Sequence, residues 1–547
     1  MASAADAPKA EGMTGFLGWI ERNGNKLPDP VFLFFYLIIA LVIISIISAA
    51  LGVSALHPTS IDENTGGALK IEAVSLFAAD NIQRLWVEMP KTFTHFHPLG
   101  YVLVVMLGAG VAERSGFFAA GMAKAVKSAP KALLTPVVAL VAMLGNHAAD
   151  AGYVVLIPLA GILFAAAGRH PLAGIAAAFA GVSGGFSANI SPGQLDALLF
   201  GITEEAVGAS ALDPAWTANI AGNWYFISAM TVLFLPIIWY VTDKVIEPKL
   251  GVWTGGATAG AAEDGTSPDP TAHDGDLASK GLAHAGIAAL AVIALWAVMV
   301  FAPGTPLINE AACLNDAGAR IADCSIHSEL RPFYQSLVAA FFVLFLACGW
   351  AYGRATGTIN NHRDLVNMMS ESMKDMGYYL VLAFAAAHFV AMFGWSNLGL
   401  ISAVHGAAAI QSTGLPLPIV LGLMVLFAAL LNLFVGSASA KWALLAPILV
   451  PMLMLLGISP EGATAAYRVG DSATNIITPL MVYFPLILVF AQRWKKDFGL
   501  GSLTAMMVPY SIFLLISGTL LIVLWFYLGL PLGPDAPVEY VLPGAGG

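Results

Sequence analysis

Two ionisable residues, Arg468 and Asp471, lie among small and apolar residues in the segment YRVGDSATNIITP. A charged side chain at the centre of a bilayer costs at least ~2.5–3.5 kcal/mol, so an intramembrane ion is a candidate for function. The two residues are one helical turn apart, so they would share a helix face and can pair. Either the pair is a static salt bridge, or Arg468 holds an anionic substrate group while Asp471 exchanges a proton or binds a cation. The second interpretation is favoured by the small polar residues that follow: Ser472, Thr474 and Asn475.

Three more residues near interruptions in the apolar sequence are candidates for the same site. Asp196 belongs either to a second half of the site or to the exposed start of a helix, where an acid is favoured. Asn432, inside an apolar run, needs hydrogen-bonding partners and is expected to face the cavity. Trp442 either stacks on an aromatic substrate, packs in the core, or anchors the chain at a membrane interface.

The histidines give weaker signals. His147 and Asp150, three residues apart, suggest a metal site or a proton relay, but two ligands do not make a metal site. A gating or packing role is therefore the preferred interpretation of this pair. His388 and His405 are interpreted as core or interfacial histidines with satisfied hydrogen bonds.

Clusters of small polar residues, GVSGGFSANISPG and VGSASAK, predict helix breaks and the tips of re-entrant hairpins. Irregular backbone persists at membrane depth only where protein buries it or where it lines a cavity. Half-helix N-termini attract anions there, and freed carbonyls with Asn and Ser oxygens can hold Na⁺. Close helix packing is the alternative, and it is favoured for GVSGG alone. The possible cation ligands are Ser187, Asn189, Asn432, Asp471, Thr474 and Asn475.

The composition predicts that these residues belong to a membrane protein. The chain has 547 residues, of which 58% are hydrophobic and 11% are charged, whereas soluble domains carry about 25% charged residues. Apolar runs approach the ~20 residues that span a bilayer as a helix, and a β-barrel would show short alternating segments instead. These runs are Val31–Val53, Ile220–Tyr240, Leu282–Phe301 and Phe333–Tyr352. The first run also replaces a cleavable signal, because the pattern of a signal peptide is missing.

Other classes of function lack their signatures. We find no basic patch with interleaved aromatics for nucleic acid, and neither HExxH nor GxxxxGK[ST] nor GxSxG for catalysis. An intramembrane enzyme is the least favoured class, and a channel is disfavoured because fast conduction does not fit a dry site. The missing ATP site favours a secondary transporter driven by an ion gradient.

The two halves of the sequence resemble each other. Asn146–Gly161 and Gly181–Leu199 in the first half match Gly436–Met452 and Val469–Phe484 in the second. In this match Tyr153 and Pro158 correspond to Trp442 and Pro447, and Ser187, Asn189 and Pro192 correspond to Thr474, Asn475 and Pro479. Paired, interrupted apolar segments are typical of transporters built from repeats, whose substrate site lies between the repeats. Chance similarity in a sequence of low complexity is the alternative.

Charges in the loops predict the orientation. Lys and Arg gather in 113–131, 352–374 and 493–496, which should be cytoplasmic, whereas 54–91 and the tail are acidic and should be external. An N-in, C-out chain has an odd number of spans. We therefore divide the chain into a cytoplasmic segment 1–30, a first transmembrane half 31–250, a flexible cytoplasmic linker 251–281 rich in Gly, Ala, Asp and Pro, a second half 282–530 and an external tail 531–547.

The three cysteines have different expected roles. Cys348 lies in an apolar helix and is interpreted as a packing residue. Cys313 and Cys324 share one hydrophilic loop and can pair if that loop faces an oxidising periplasm. Sequence alone leaves this pairing open, because it does not give the geometry.

The motifs GSASAKWALLAPILVPM and YRVGDSATNIITPLMVYFPLIL resemble the signature region of the AbgT family, the p-aminobenzoyl-glutamate transporters. NHAADAGYVVLIPLAG and GVSGGFSANISPGQLDALLFGITEEA resemble the first-half motifs of that family. The resemblance covers nearly the whole chain except the linker. It implies an all-α polytopic homodimer with about nine transmembrane helices, two re-entrant hairpins, an inverted repeat, and an inner core beside a dimerising frame.

The resemblance also implies a function and a set of residues. The substrate would be p-aminobenzoyl-glutamate, an aromatic amino-acid conjugate from folate breakdown, and for some members sulfonamide antimetabolites, with Na⁺ as a possible coupling ion. The residues at matching motif positions are Asp196, Asn432, Trp442, Pro460, Arg468 and Asp471. We expect a multi-pass protein of the bacterial inner membrane that exports substrate by proton antiport. The alternative is Na⁺-coupled uptake of a dicarboxylate.

Overall fold

The computed structural model describes residues 28–61, 66–148, 152–255, 275–302, 304–314, 319–321, 324, 326–478 and 480–543. The described chain is almost entirely helical, with one two-stranded antiparallel sheet, β1 (Ser54–Ile61) and β2 (Ala68–Glu72), in the loop predicted to be external. This is the fold class expected from the composition.

The first half contains ten α-helices among the described residues. They are α1 (Pro30–Ala50), α2 (Ala79–Thr94), α3 (His97–Arg114), α4 (Phe117–Lys127), α5 (Leu134–Leu144), α6 (Ile157–Ala166), α7 (Pro171–Phe179), α8 (Gln194–Ser210), α9 (Trp224–Tyr240) and α10 (Glu247–Leu250). Three π-helical turns accompany them: Gly152–Leu156, Ala180–Gly184 and Val241–Ile246.

The second half follows the same plan after a peripheral group of helices. Its helices are α11 (Gly275–Phe301), α12 (Ile326–Glu329), α13 (Arg331–Gln335), α14 (Leu337–Thr356), α15 (His362–Asp375), α16 (Gly377–Trp395), α17 (Leu398–Ser412), α18 (Leu417–Asn432), α19 (Ala438–Leu455), α20 (Pro460–Asn475), α21 (Phe484–Gln492) and α22 (Leu500–Tyr527). Among the described residues eight helices are long and apolar enough to cross a membrane, or up to ten if each bent pair counts as one. The predicted nine lies within this range.

The order of elements recurs in the two halves. Each half contains a pair of helices bent sharply at a short break: α4 with Lys131–His147 at 117°, and α17 with α18 at 119°. Each pair is followed by an interruption, two antiparallel-connected helices (α6 and α7, or α19 and α20), a second interruption, and a further helix (α8 or α21). The contacts recur too, because α8 packs on α19 and α20 while α21 packs on α6 and α7.

The two polar clusters lie at helix breaks and not at the tips of the bent pairs. GVSGG forms the end of α7 with its π-turn, and the chain then stays non-helical until α8 begins at Gln194. The segment 433–437 separates α18 from α19. The tips of the bent pairs are instead the turns at 128–133 and 413–416, where Pro130 and Pro416 interrupt the helical backbone. The predicted helix breaks are confirmed, and which of these bent or broken segments are the re-entrant hairpins stays a prediction.

Helix α11 lies at the lipid-facing periphery, with its apolar side chains exposed; Ile287 and Leu290 are 67% and 68% exposed. It begins at Gly275, ahead of the predicted boundary at Leu282, because DLASKGLAHAG is compatible with a helix and has an acid in its first turn. The rest of the predicted linker, residues 256–274, lies outside the described residues.

The loop after α11 contains a disulfide between Cys313 and Cys324, whose Cα atoms are 5.5 Å apart. This resolves the pairing that the sequence left open. Cys348 is buried between α11 and α14, where its thiol lies 3.5 Å from the carbonyl oxygen of Ala285. Its expected packing role is confirmed.

Candidate functional site

Helix α20 is the polar centre of the molecule, and every residue from Pro460 to Asn475 is buried. The helix begins where Ser459 caps it by accepting a hydrogen bond from the Gly462 N–H at 3.1 Å, with Pro460 at its first position. A buried helix that carries charged side chains needs partners from the surrounding elements. Those partners come from both halves of the chain.

Arg468 pairs with Asp196, which the first half contributes. The Nη2 atom of Arg468 lies 2.6 Å from Asp196 Oδ1, and both side chains are buried. Asp196 is in the first turn of α8, where its other oxygen accepts the Gly193 N–H at 2.8 Å. It is therefore both an acid at a helix start and a member of the site, although the helix start is buried and not exposed.

Asp471 pairs with Lys441 and not with Arg468. Lys441 lies at the start of α19, and its Nζ is 2.5 Å from Asp471 Oδ1, with both side chains almost fully buried. The static salt bridge between Arg468 and Asp471, the less favoured of the two interpretations, is not formed, because the long arginine extends across to α8 while the short aspartate meets α19. Lys441 was not among the predicted site residues, although a lysine beside a predicted break within an apolar run is a signal for one.

Asn432 connects the second-half residues. Lys441 Nζ donates to its Oδ1, and its Nδ2 donates to the Asp471 carbonyl at 2.7 Å and to Thr474 Oγ1 and Asn475 Oδ1 at 2.9 Å each. The prediction that this buried amide needs partners is confirmed. The amide ties the C-terminal end of α18 to two turns of α20.

A cavity of about 360 Å³ lies between the halves, beside these pairs. It is lined from the first half by Asn146, Tyr153, Phe186, Gln194, Leu195 and Leu198, and from the second by Gly436, Ala438, Asn475, Met481 and Tyr483. A narrow extension, which shares Asn146, Phe186 and Gln194 with the cavity, is lined by Asp196 and Arg468.

Three buried polar atoms in the neighbourhood of this extension have no hydrogen-bond partner among the described residues: Arg468 Nε, Ser187 Oγ and Gln194 Oε1. An unmade buried hydrogen bond costs about 1–3 kcal/mol, so such atoms call for an explanation. One donor and two acceptors at the end of a cavity can receive a ligand that offers both an anionic acceptor and a donor.

The aromatic residues that line the cavity are not the predicted one. Trp442 is fully buried, stacks on Tyr467 at 4.6 Å and donates from its indole N–H to Thr203 Oγ1 at 3.0 Å. It therefore packs, as one of its three interpretations held. Tyr153 and Tyr483 stack on each other at 4.2 Å and form the aromatic wall of the cavity. In the match between the two halves of the sequence, Tyr153 corresponds to Trp442.

The remaining predicted residues are at the edges of the site. Pro460 begins α20 and is absent from the lining of the cavity. Asn189 lines the narrow extension, and its Oδ1 accepts the Ile190 N–H at 3.1 Å. His147 Nε2 lies 3.2 Å from Ser191 Oγ. Asp150 lies outside the described residues, so the preferred gating or packing role of its pair with His147 stays a prediction.

His388 and His405 were expected to have satisfied hydrogen bonds, and each of them contacts a backbone carbonyl through one ring nitrogen. His388 Nδ1 is 2.7 Å from the Phe384 oxygen, and His405 Nε2 is 3.1 Å from the Ser54 oxygen. The other ring nitrogen of His388, Nε2, is buried and has no partner in the described chain, so only part of that interpretation holds. The described residues contain no group of three or more His, Cys, Asp or Glu side chains placed to hold a metal ion.

This arrangement suits reversible binding of a charged solute. Lys441 and Arg468 are each balanced by one buried carboxylate, and each pair joins α20 to another helix, α19 or α8. Removing one member of such a pair costs about 3–5 kcal/mol, and only the Arg468–Asp196 pair connects the two halves.

The comparisons with known proteins identify the family. The model of the "AbgT putative transporter family" matches residues 15–540. The p-aminobenzoyl-glutamate transport protein of Escherichia coli K12 is 36% identical over 533 residues, which cover 97% of this chain and 98% of that protein. The chain belongs to the AbgT family.

Two solved structures of high similarity agree with this assignment. The Neisseria gonorrhoeae protein MtrF, described as illuminating a class of antimetabolite efflux pumps, is 42% identical with a TM-score of 0.85 over 96% of this chain and all of that one. The YdaH transporter of Alcanivorax borkumensis, described as having an unusual topology, is 42% identical with a TM-score of 0.82 over 93% of this chain and all of that one. The predicted family, the helical fold and a multi-pass location in the inner membrane are thereby confirmed.

Proposed function

We propose that this AbgT-family protein is a secondary transporter that exports p-aminobenzoyl-glutamate-like conjugates, and also sulfonamide antimetabolites, by coupling to a proton or Na⁺ gradient. The observation that carries the proposal is the cavity between the two halves together with its narrow extension, which Arg468 lines with its Nε unpaired in the described chain. The name of the E. coli relative supports p-aminobenzoyl-glutamate, the description of MtrF supports efflux of antimetabolites, and the family resemblance implies that these include sulfonamides.

The chemistry of the cavity fits such a conjugate. The glutamate part offers two carboxylates, and an arginine is well suited to them because its guanidinium presents several fixed N–H donors. Asp196 holds one end of the Arg468 guanidinium and leaves Nε for the ligand. The aminobenzoyl ring fits against the wall formed by Tyr153 and Tyr483, and the Ser187 and Gln194 oxygens can accept the amide or amine hydrogens.

The position of the cavity supports loading from the cytoplasm. Met376 also lines it, and this residue lies two positions after the stretch 352–374, which its basic residues predict to be cytoplasmic. Val482 also lines the cavity, and its side chain is exposed. A substrate that enters here would leave on the external side after the halves rearrange, which is export.

The Arg468→Ala variant tests the carboxylate role. Losing a hydrogen bond to a charged group costs ~1.5–3 kcal/mol, so transport of p-aminobenzoyl-glutamate should fall about 10- to 100-fold. A sulfonamide has a similar aromatic amine with less negative charge, so its transport should fall less. The measurement is flux of both ligands into proteoliposomes, normalised to correctly folded protein.

Arg468→Lys is the matched control, because it keeps the positive charge but loses the planar fork. We expect it to keep more p-aminobenzoyl-glutamate transport than the alanine variant. Equal losses for both ligands in Arg468→Ala would defeat the carboxylate-binding role. Imposing pH and Na⁺ gradients separately in the same vesicles, with Asp471→Ala as a control, determines the direction and the coupling ion.

The proposal includes a homodimer in the membrane, as the family resemblance implies. Cross-linking in native membranes, followed by the mass of the purified complex in detergent, tests this. A single-chain mass under conditions that preserve transport would reject it.

A further inference from the structure

The C-terminal end of α8 is fastened to helices that lie outside the repeated elements. We call these helices the peripheral bundle; they are α3, α11, α13, α14 and α15, and they pack on one another. Tyr101 of α3 donates from its hydroxyl to Glu204 Oε2 at 2.9 Å, and His97 Nδ1 lies 3.0 Å from Glu205 Oε2. Because α3 begins just after the acidic stretch 54–91, the predicted orientation places these contacts on the external side.

The loop that follows α8 is held by the same bundle. Arg331 of α13 donates from Nη2 to Thr217 Oγ1 at 2.7 Å, and Gln335 donates from Nε2 to the same oxygen at 3.2 Å. Two helices of the peripheral bundle and the first residues of α14 thus surround one end of α8. Polar contacts between side chains, which can be broken and made again, carry this attachment.

The backbones of α3 and α8 also approach each other closely at this end. A Cβ atom added at Gly201 would lie 2.9 Å from Pro98 Cα and 3.1 Å from the ring of Tyr101. These distances are shorter than the ~3.5–4.0 Å of a favourable carbon–carbon contact, so a larger residue would push the two helices apart. Gly208 lies on the same helix, and a Cβ added there would meet nothing within 4 Å.

Away from this contact, the same two helices line the cavity. Val102 and Met106 follow Pro98 by about one and two turns of α3, and Leu195 and Leu198 precede the contact on α8. The two helices therefore touch at one end and share the cavity of about 360 Å³ at the other. The cavity is open where the basic loops predict the cytoplasm, and the contact closes the opposite side.

We propose that the contact between α3 and α8 is the external gate of the transporter, and that Gly201 and the Tyr101–Glu204 hydrogen bond keep it closed. Opening toward the external side moves α8 away from α3 and breaks this bond. A weaker contact shifts the equilibrium between the two end states toward the externally open one. Gly201, Tyr101 and Glu204 are positioning residues, because they act through the placement of α8 and are absent from the lining of the cavity. The inference deepens the transport function proposed above and rests on it.

The accessibility of one introduced thiol measures the state of the gate. Val482→Cys places it on a residue that lines the cavity and is 84% exposed. Without a reductant the native background should be silent, because Cys348 is buried and Cys313 is bonded to Cys324. A membrane-impermeant maleimide should label the thiol quickly in inside-out vesicles and slowly in spheroplasts. The rate in spheroplasts reports the population that is open to the external side.

Gly201→Ala forces α3 and α8 apart without removing a polar contact. In the Val482→Cys background it should raise the labelling rate in spheroplasts about tenfold, which corresponds to ~1.4 kcal/mol. Gly208→Ala is the matched control, because it makes the same substitution on the same helix in open space. Its rate should stay within about twofold of the parent. Equal rates for folded Gly201→Ala and Gly208→Ala would overturn the proposal.

Tyr101→Phe is a second variant, which keeps the packing of the ring and removes only the hydroxyl. The labelling rate in spheroplasts should again rise about tenfold, because a hydrogen bond to a carboxylate is lost. Tyr378→Phe is its matched control. The Tyr378 hydroxyl also donates to a carboxylate, Asp29 Oδ1 at 3.1 Å, but this bond joins α16 to the residue before α1. An unchanged rate in Tyr101→Phe, or an equal rise in Tyr378→Phe, would overturn the proposal.

The labelling experiment needs neither substrate nor gradient, so it fails separately from the proposed substrate. Absence of p-aminobenzoyl-glutamate flux in the wild type would reject that substrate, and the labelling rates would still test the gate. A parent Val482→Cys protein that is labelled faster in spheroplasts than in inside-out vesicles would place the closed side on the cytoplasmic face and overturn the assignment of an external gate.

Discussion

The buried charges of this protein act between elements and not along one helix. Arg468 and Asp471 are one turn apart on α20, yet the first contacts α8 through Asp196 and the second contacts α19 through Lys441. Each pair therefore links the central helix to a neighbouring layer. A buried pair contributes little net stability compared with apolar residues, but a single broken pair is strongly destabilising.

A double-mutant cycle on Asp196 and Arg468 should show this dependence. Asp196→Asn alone leaves a buried guanidinium without its counter-charge and should lower the free energy of unfolding by about 3–5 kcal/mol. Adding Arg468→Met should restore a large part of that loss. The free energy is measured by denaturant titration of the purified protein, and additive effects of the two substitutions would contradict a direct coupling.

Sequence reasoning found most of the charged residues of the site but not their partners. The cost of a charge in an apolar run points to Arg468 and Asp471 from composition alone. The partner of each residue depends on how α8 and α19 pack, and local spacing carries no information about that. Trp442 was ambiguous for the same reason, because a tryptophan in an apolar helix is equally suited to packing and to binding.

At the scale of elements, the turn between α6 and α7 is fixed by an arginine. Arg169 donates to Thr135 Oγ1 at 2.7 Å and lies 2.6 Å from Asp243 Oδ1 and 2.5 Å from Glu247 Oε2. These contacts join the turn to the π-helical turn Val241–Ile246, to the first residue of α10 and to the start of α5. The helix breaks near the cavity could be predicted from Gly and Pro, whereas this attachment could not.

Arg169→Ala should lower the free energy of unfolding by about 1.5–3 kcal/mol, because several hydrogen bonds to charged groups are lost at a largely buried place. Arg114→Ala is the matched control. Its pair with Asp375 is more exposed, so its loss should cost less than ~1 kcal/mol. The two variants are compared by denaturant titration. Equal losses in the free energy of unfolding would mean that the contacts of Arg169 stabilise the protein no more than the exposed pair of Arg114.

The corresponding turn of the second half is held by the C-terminal strap, which we define as residues 528–543. Ser459 N–H donates to the Val538 carbonyl at 3.1 Å, Tyr540 N–H donates to the Gly457 carbonyl at 2.9 Å, and the Tyr540 hydroxyl donates to Asp213 at 2.6 Å. The tail predicted to be external is thus a packed part of the fold.

Asp535→Asn should stabilise this strap. Asp535 has a φ of 51°, which Asn tolerates well, and burial raises its pKa, partly offset by Arg331 and His327. The stability it contributes is complete below about pH 4 and is lost as the pH rises through the raised pKa. The gain in melting temperature should therefore be larger at pH 8 than at pH 4.

Asp535→Ala separates the effect of the charge from the effect of the backbone conformation at this position. It removes the same charge but places a residue with a Cβ and no local hydrogen bond in the left-handed region, at a cost of about 1 kcal/mol. It should melt below Asp535→Asn at both pH values. Equal melting temperatures for the two variants would show that the backbone conformation is unimportant here.

At the scale of the whole molecule, the orientation follows from basic loops and is consistent with the disulfide. The loop with Cys313 and Cys324 follows α11, which leaves the segment predicted to be cytoplasmic. The oxidised pair would then face the periplasm, where disulfides persist. Composition was enough to predict the helical membrane fold, because that fold follows from the bilayer itself, whereas the orientation stays a prediction.

A membrane-impermeant maleimide tests this orientation in intact spheroplasts. It should label the chain only after reduction, and the label should lie on Cys313 and Cys324. Cys348 is the internal control, because it is buried and should stay unlabelled until the protein is denatured. Labelling that requires a permeabilised membrane would place the loop in the cytoplasm and reverse the orientation.

The two halves of the chain differ at the Lys441–Asp471 pair. In a protein that alternates by exchanging the roles of two similar repeats, identical repeats would give its two end states the same free energy. Here one repeat has a lysine and an aspartate where the other has Gly152 and Gly185. The two end states are therefore not mirror images in energy, and the resting protein should populate one of them in excess even with no gradient across the membrane.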